Sequence, residues 1–195
     1  MTKMMFSGLC ALVLLIGLSF TEIHSLQVDT NKSTIKWEGN KVTGSHQGTI
    51  QIHSGSLDIH DGYLTGGTFT IDMSSIKCTD LEGGGAAKLE GHLKSPDFFG
   101  VEANPTAKLA ITKVSSRGTT GDFKVVGDLT IKNITKEIKF NAQLQEDMGA
   151  TTVTADITID RTDFDVRYGS GSFFDNLGDK TIYDDFTLKV KVVGM

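Results

Sequence analysis

The sequence predicts an all-β fold of about eight antiparallel strands, interrupted once by a helical segment. Three observations carry this. Apolar residues recur at every second position through most of the chain, with threonine, lysine, glutamine and aspartate between them. Short turn signals separate these runs, and the chain holds 22 glycines but only two prolines. Alternation of this kind marks strands with one dry and one wet face, as in antiparallel sheets.

The first 25 residues stand apart. Lys3 precedes the apolar run MMFSGLCALVLLIGLSF, and polar TEIHS follows. A charged start, an apolar centre and a polar end have the form of a secretory signal, too short for a membrane span and with no second apolar stretch behind it. We expect residues 1–25 to be this signal, cleaved between Ser19 and Ser25, and residues 26–195 to form one exported domain, periplasmic or secreted. Cys10 does not fit a lipid-attachment site, because Leu9 precedes it and it lies early in the apolar run. Cys78 is then the remaining cysteine, so an internal disulfide is ruled out and stability must come from packing or from a ligand. With 19 basic and 24 acidic residues the formal charge is -5, which argues against nucleic acid and against a basic membrane-docking face.

The strands follow in order. Ile35 and Trp37 share a parity, as do Ile50 and Ile52, then Phe69, Ile71 and Met73, then Ala107, Leu109 and Ile111. Phe123, Val125, Leu129 and Ile131 come next, with Gly127 expected as a bend. The last three runs are Ile138 to Leu144, Val153 to Ile159 and Phe186 to Val192. The expected turns are HSGS (53–56), HDG (60–62), SSRGTTGD (115–122) and IKNITKE (131–137). Short strands, lysines on the wet parity of TLKVKVV and a C-terminus without an aromatic girdle argue against an integral membrane barrel.

Residues 83–104, GGGAAKLEGHLKSPDFFGVEAN, break the alternation and contain good helix formers. Ser95, Pro96 and Asp97 are expected as N-cap, first-turn proline and first-turn acid of a helix.

Candidate chemistry is sparse. His46, His53 and His60 recur every seven residues, but an odd step in a strand flips the side chain each time, and no cysteine or carboxylate cluster accompanies them at zinc spacing. No metal is expected. His92 and Asp97 offer an acid/base pair, yet no G-x-S-x-G elbow or paired cysteine supplies a nucleophile, so no catalytic residue is assigned. DRTDFD lacks the order of a calcium loop. GSGS (169–172) with Phe173 and Phe174 is either an irregular connection or part of a barrel mouth. Trp37, Phe69, Phe123, Phe140 and Phe186 lie on apolar parities, where they would fill a sandwich core or line a barrel.

Four blocks carry a family resemblance: GSHQGTIQIHSGSL, GHLKSPDFFGVEANPTAKLAITKV, VVGDLTIKNITKEIKFNAQL and TIDRTDFDVRYGSGSFFDNLGDKTIYDDFTLKVKV. Together they resemble the YceI-like family of exported polyisoprenoid-binding proteins from about Val28 to Val193. The resemblance implies an elongated, eight-stranded, lipocalin-like barrel with its helical segment near the mouth. It also implies a long-chain lipid or isoprenoid ligand inside, no cofactor and no enzymatic activity. By position it places His92, Leu93, Phe98 and Phe99 near the ligand, and Trp37, Phe69, Phe123, Phe140 and Phe186 along its tail. Phe164, Phe173 and Phe174 are added from the long connection before the last strand. His92 is expected to meet a ligand head group, with Lys94 and Arg161 or Arg167 converging on the mouth. Two departures stand out: Asn40 and Lys41 replace a usual histidine region, the nearest histidine being His46, and Asn133 replaces a usual glycine. The alternatives are an enzyme using His92 and a carboxylate, and a stress-related barrel without a dedicated ligand. A homodimer is left open.

Overall fold

A computed structural model describes residues 24–147 and 149–195; the expected signal lies outside them apart from His24 and Ser25. The strands are β1 (His24–Gln27), β2 (Thr34–Lys41), β3 (Gly44–His60), β4 (Tyr63–Cys78), β5 (Thr106–Ser116), β6 (Asp122–Ile131), β7 (Ile134–Asp147), β8 (Ala150–Asp160) and β9 (Ile182–Gly194). A helix, α1 (Gly83–Lys94), lies between β4 and β5. No described helix is long and apolar enough to cross a membrane.

The sheet runs β3-β2-β9-β8-β7-β6-β5-β4 and closes when β4 pairs back onto β3. All the pairings are antiparallel. Closure removes the edges that an open sheet of this size would expose. β1 and β2 occupy the same edge of β3, His24–Gln27 against Ser56–Ile59 and Ile35–Lys41 against Gly44–Ile50. They form one stave split by a turn, in which Asp29 accepts the Asn31 and Lys32 amides.

The expected HSGS turn is a correction. β3 runs straight through residues 53–56, and the pairing with β4 shifts between Ile52 and Ser54. The extra residue is a bulge, which moves the apolar set from Ile50 and Ile52 to Leu57 and Ile59. Gly55 belongs to this feature, since a Cβ there would lie 2.8 Å from the Phe69 ring. β4 carries the opposite irregularity. Thr49 faces Lys77 while Gln51 faces Asp72, so Met73 to Ile76 drop out of the ladder with β3, and Met73 and Ile76 stay buried. Gln51 N donates to Ser75 Oγ across the gap. Gly127 does face an irregularity, but the extra residue sits opposite it in β5, between Ile111 and Lys113.

The second correction concerns residues 95–97. Ser95 ends α1 rather than starting a helix: its amide and its hydroxyl both donate to His92 O, at 3.1 and 2.8 Å. Pro96 then stops the helix, because residues before a proline avoid helical backbone. Asp97 is exposed in the turn that follows.

Candidate functional site

The inward parities do not meet at the centre of the barrel. They leave two apolar chambers in series, sharing Ile35, Ile71, Leu129, Ile159 and Leu188 as common wall. Measured as space open to the centre of a water-sized sphere, the upper chamber holds about 140 Å³ and the lower about 90 Å³. Every side chain lining the lower chamber is a hydrocarbon one, with Phe69 and Phe140 among them. The upper chamber lies at the end where β4 leaves for α1 and β8 leaves for the 161–181 connection. Trp37 lines it while its indole N–H donates to Thr49 O at 3.2 Å.

The turn after α1 roofs this chamber. Phe98 and Gly100 amides both donate to Ser95 O and the Val101 amide to Lys94 O, with Gly100 at φ 56°. This fold-back drives Phe98 and Val101 inward, each 7% exposed or less. Edge-to-face contacts then link His92 to Phe98 at 5.4 Å, Phe98 to Phe99 at 5.0 Å and Phe99 to Phe186 at 6.4 Å. Leu93, Phe98, Phe99 and Phe186 all face the upper chamber.

A charged residue completes the roof. Arg161 is 2% exposed, yet it borders the chamber and its guanidinium lies 5.5 Å from the Phe98 ring centre. Nε donates to Tyr183 O at 3.1 Å, Nη1 to Val166 O at 2.6 Å, and Nη2 to Ile182 O at 3.0 Å and Asp184 Oδ1 at 3.3 Å. Burial pulls its pKa down from the usual arginine range, against the opposing pull of Asp184 and Asp160. Asp184 is raised by burial but held below its ordinary value overall by hydrogen bonds from Ser172 and Ser170 and by the Arg161 charge. Arg161 thus ties the 161–181 connection to the start of β9 and presents cationic character at the mouth of a hydrocarbon bore.

The expected residues divide. Trp37, Leu93, Phe98, Phe99 and Phe186 line the upper chamber, and Phe69 and Phe140 the lower. Phe123 does not reach either wall; at 2% exposed it packs beneath the lower chamber, with Tyr63 edge-on at 6.3 Å. Phe164 is likewise outside the lining, enclosed at 1% exposure because the 3-10 turn Arg161–Phe164 points it into the core. Phe173 and Phe174 face solvent, about half exposed, since both amides turn back onto Ser170 O and swing the rings outward. Arg167 stacks on Phe173 at 4.6 Å.

His92 borders the roof rather than the bore. Its ring lies 4.4 Å from Tyr168, and Nε2 is buried without a hydrogen-bond partner. Among the described residues it makes no bond to Asp97, and of Lys94, Arg161 and Arg167 only Arg161 borders the cavity. His46, His53 and His60 are dispersed: His46 Nδ1 is 2.8 Å from Asp80, His60 is beside Asp61, and His53 is exposed. Asn133 and Lys132 form a two-residue turn with positive φ, tied down by bonds to Asn104 and Asp165 O. The buried role of Arg161 was missed, although it continues the inward parity of Val153, Ala155, Ile157 and Ile159.

A family model described as YceI-like domain matches residues 26–194. The chain belongs to the YceI-like family. A UPF0312 protein of Photorhabdus laumondii is 34% identical over 87 residues, 40% of this chain and 44% of its own length, so the chain spans less than half the length of that relative. Burkholderia cenocepacia BcnA is similar in structure, with a TM-score of 0.70 at 20% identity, covering 86% of this chain and 99% of that one. A polyisoprenoid binding domain from Saccharophagus degradans gives a TM-score of 0.62 at 13% identity, covering 88% and 98%. These likenesses establish the closed barrel as the YceI-like fold of this chain.

Proposed function

We propose that this protein binds a long-chain apolar lipid, a polyisoprenoid or a fatty-acid derivative, inside the barrel, and so stores or carries it outside the cytoplasm. The bore carries this proposal: two hydrocarbon chambers in line, with polar side chains gathered at one end. Protein interiors normally pack to crystal density, so an unfilled core of this shape suits an apolar occupant. A structural neighbour described as a polyisoprenoid binding domain supports the ligand class. Arg161, Tyr183 and Asp185 border the mouth and suit a polar head group left there. The role is binding rather than catalysis, since His92 is wedged between aromatic rings and Asp97 faces solvent apart from it.

Native mass spectrometry of the protein purified without detergent from the periplasm or medium of its own host, followed by solvent extraction, tests this. A discrete bound mass that extracts as a long-chain lipid is expected. A protein that stays unliganded there and after incubation with prenols and fatty acids would refute it.

A further inference from the structure

The bore has a floor. Leu57, Leu64 and Phe123 are each 3% exposed or less, and the Tyr63 ring closes on Phe123 from outside. A chain entering from the mouth cannot pass them without displacing packed side chains. The distance from mouth to floor follows from the two strands that line the whole bore. β9 contributes wall residues from Ile182 to Val192, and β8 from Arg161, just past its end, to Val153. At a rise of about 3.3 Å per residue and a tilt of about 35–45°, these spans correspond to about 20–25 Å along the barrel axis. An extended chain advances about 1.2 Å per bond, so the bore takes about 16–20 main-chain carbons, or about four to five isoprene units.

Width sets the number of chains. Spread over about half the bore, the lower chamber gives the centre of a water-sized sphere a path about 3 Å across. Two chains side by side hold their carbons about 3.5–4.0 Å apart. A ligand therefore has no room to double back there.

We infer that the barrel is a length gauge for one extended chain of about 16–20 main-chain carbons, with any longer remainder left outside the mouth. This rests on the proposed lipid-binding role and adds to it the size of the ligand. Ala155, on the lower wall beside Val190, sets where the bore can be shortened. A bulky side chain there leaves the upper chamber, whose β9 wall from Ile182 to Leu188 corresponds to about 15 Å, or about 12 carbons.

Trp37 supplies the readout, being the one tryptophan of the chain and part of the upper wall. All-trans prenols from two to nine isoprene units are titrated into the mature protein, following Trp37 emission. Affinity is expected to rise steeply with length, by up to about fourfold per buried methylene. It should then stay flat within about threefold beyond the fourth or fifth unit. Ala155→Phe is expected to move the break to about 12 main-chain carbons, and Ala155→Leu, the milder filling, to move it in the same direction. Affinity still climbing from five to eight units, or a break unmoved in the variant that folds, would overturn the gauge and leave the lipid-binding role standing. Failure of every prenol and of matching fatty alcohols to bind would overturn both.

Discussion

Arg161→Met tests whether the buried guanidinium holds the mouth together. Methionine keeps an unbranched chain as far as about the Nε position but removes every donor. The Tyr183, Val166 and Ile182 carbonyls and the Asp184 carboxylate each lose a partner at 2.6–3.3 Å. Removing one side of a buried, hydrogen-bonded charge costs about 3–5 kcal/mol, because the remaining groups are left desolvated. For a domain of this size each kcal/mol lowers Tm by about 2–4 °C, so a fall of about 6–20 °C is expected. Urea unfolding followed by far-ultraviolet circular dichroism should show a lower midpoint at unchanged slope, as for a loss of stability without a change in compactness. Hydrogen exchange should quicken first at the Val166 and Ile182 amides, which bond to Arg161 O and Gly169 O. Arg161→Lys should fall between, since one ammonium cannot reach three diverging carbonyls at once. A loss below about 1 kcal/mol in the methionine variant, or a lysine variant as stable as the unmodified protein, would refute the reasoning.

Two further outcomes are expected. His92→Phe removes the buried, unpartnered Nε2 while keeping an aromatic ring against Tyr168 and Phe98, so stability should rise by about 1 kcal/mol; a lower urea midpoint would contradict this. The Asp80 carboxyl is raised by burial, but bonds from His46, the Gln47 amide and Cys78 outweigh this and place it at about 2. A depressed folded-state pKa gives stability present above the unfolded value near 4 and lost as pH falls towards 2. After allowance for solvent screening this is about 1 kcal/mol, and Asp80→Asn should flatten the urea midpoint between pH 5 and 2. Parallel pH profiles would remove the assignment.

The barrel was largely legible because strand parity is a local signal. Phe69, Phe140 and Phe186 lie where alternation puts them. The signal failed where one residue was added. At His53 the bulge flips the parity, so the strand of Ile50 and Ile52 read as ending in a turn at HSGS, whereas it continues through Leu57 and Ile59. Ser95 misled for a related reason: Ser-Pro-Asp suits a helix start by composition, and only the helix before it shows that Ser95 caps an end. Arg161 carried its own signal, an inward parity, but a charge at such a position is tolerated only when carbonyls converge on it. Those carbonyls come from residues 166, 182 and 183, which chain order does not place together. Phe173 and Phe174 show the converse, aromatic residues turned outward by the backbone bonds of a local turn.

The split first stave has a kinetic consequence. Gln27 and Met195 exchange both backbone hydrogen bonds, the Asp29 amide donates to Val193 O, and Val28 bridges Gly194. The seam of the barrel is therefore sewn by the two ends of the described chain, through contacts of very large sequence separation. Contacts of that kind carry the largest loop-closure entropy and slow folding. β9 sits between β2 and β8, so the ring of strands, and with it the bore, is closed only with β9 in place. The same proximity makes the ends natural points to join, with new termini opened in an exposed turn such as Asp61–Gly62, because a permuted chain would keep every strand pair while changing which one forms last.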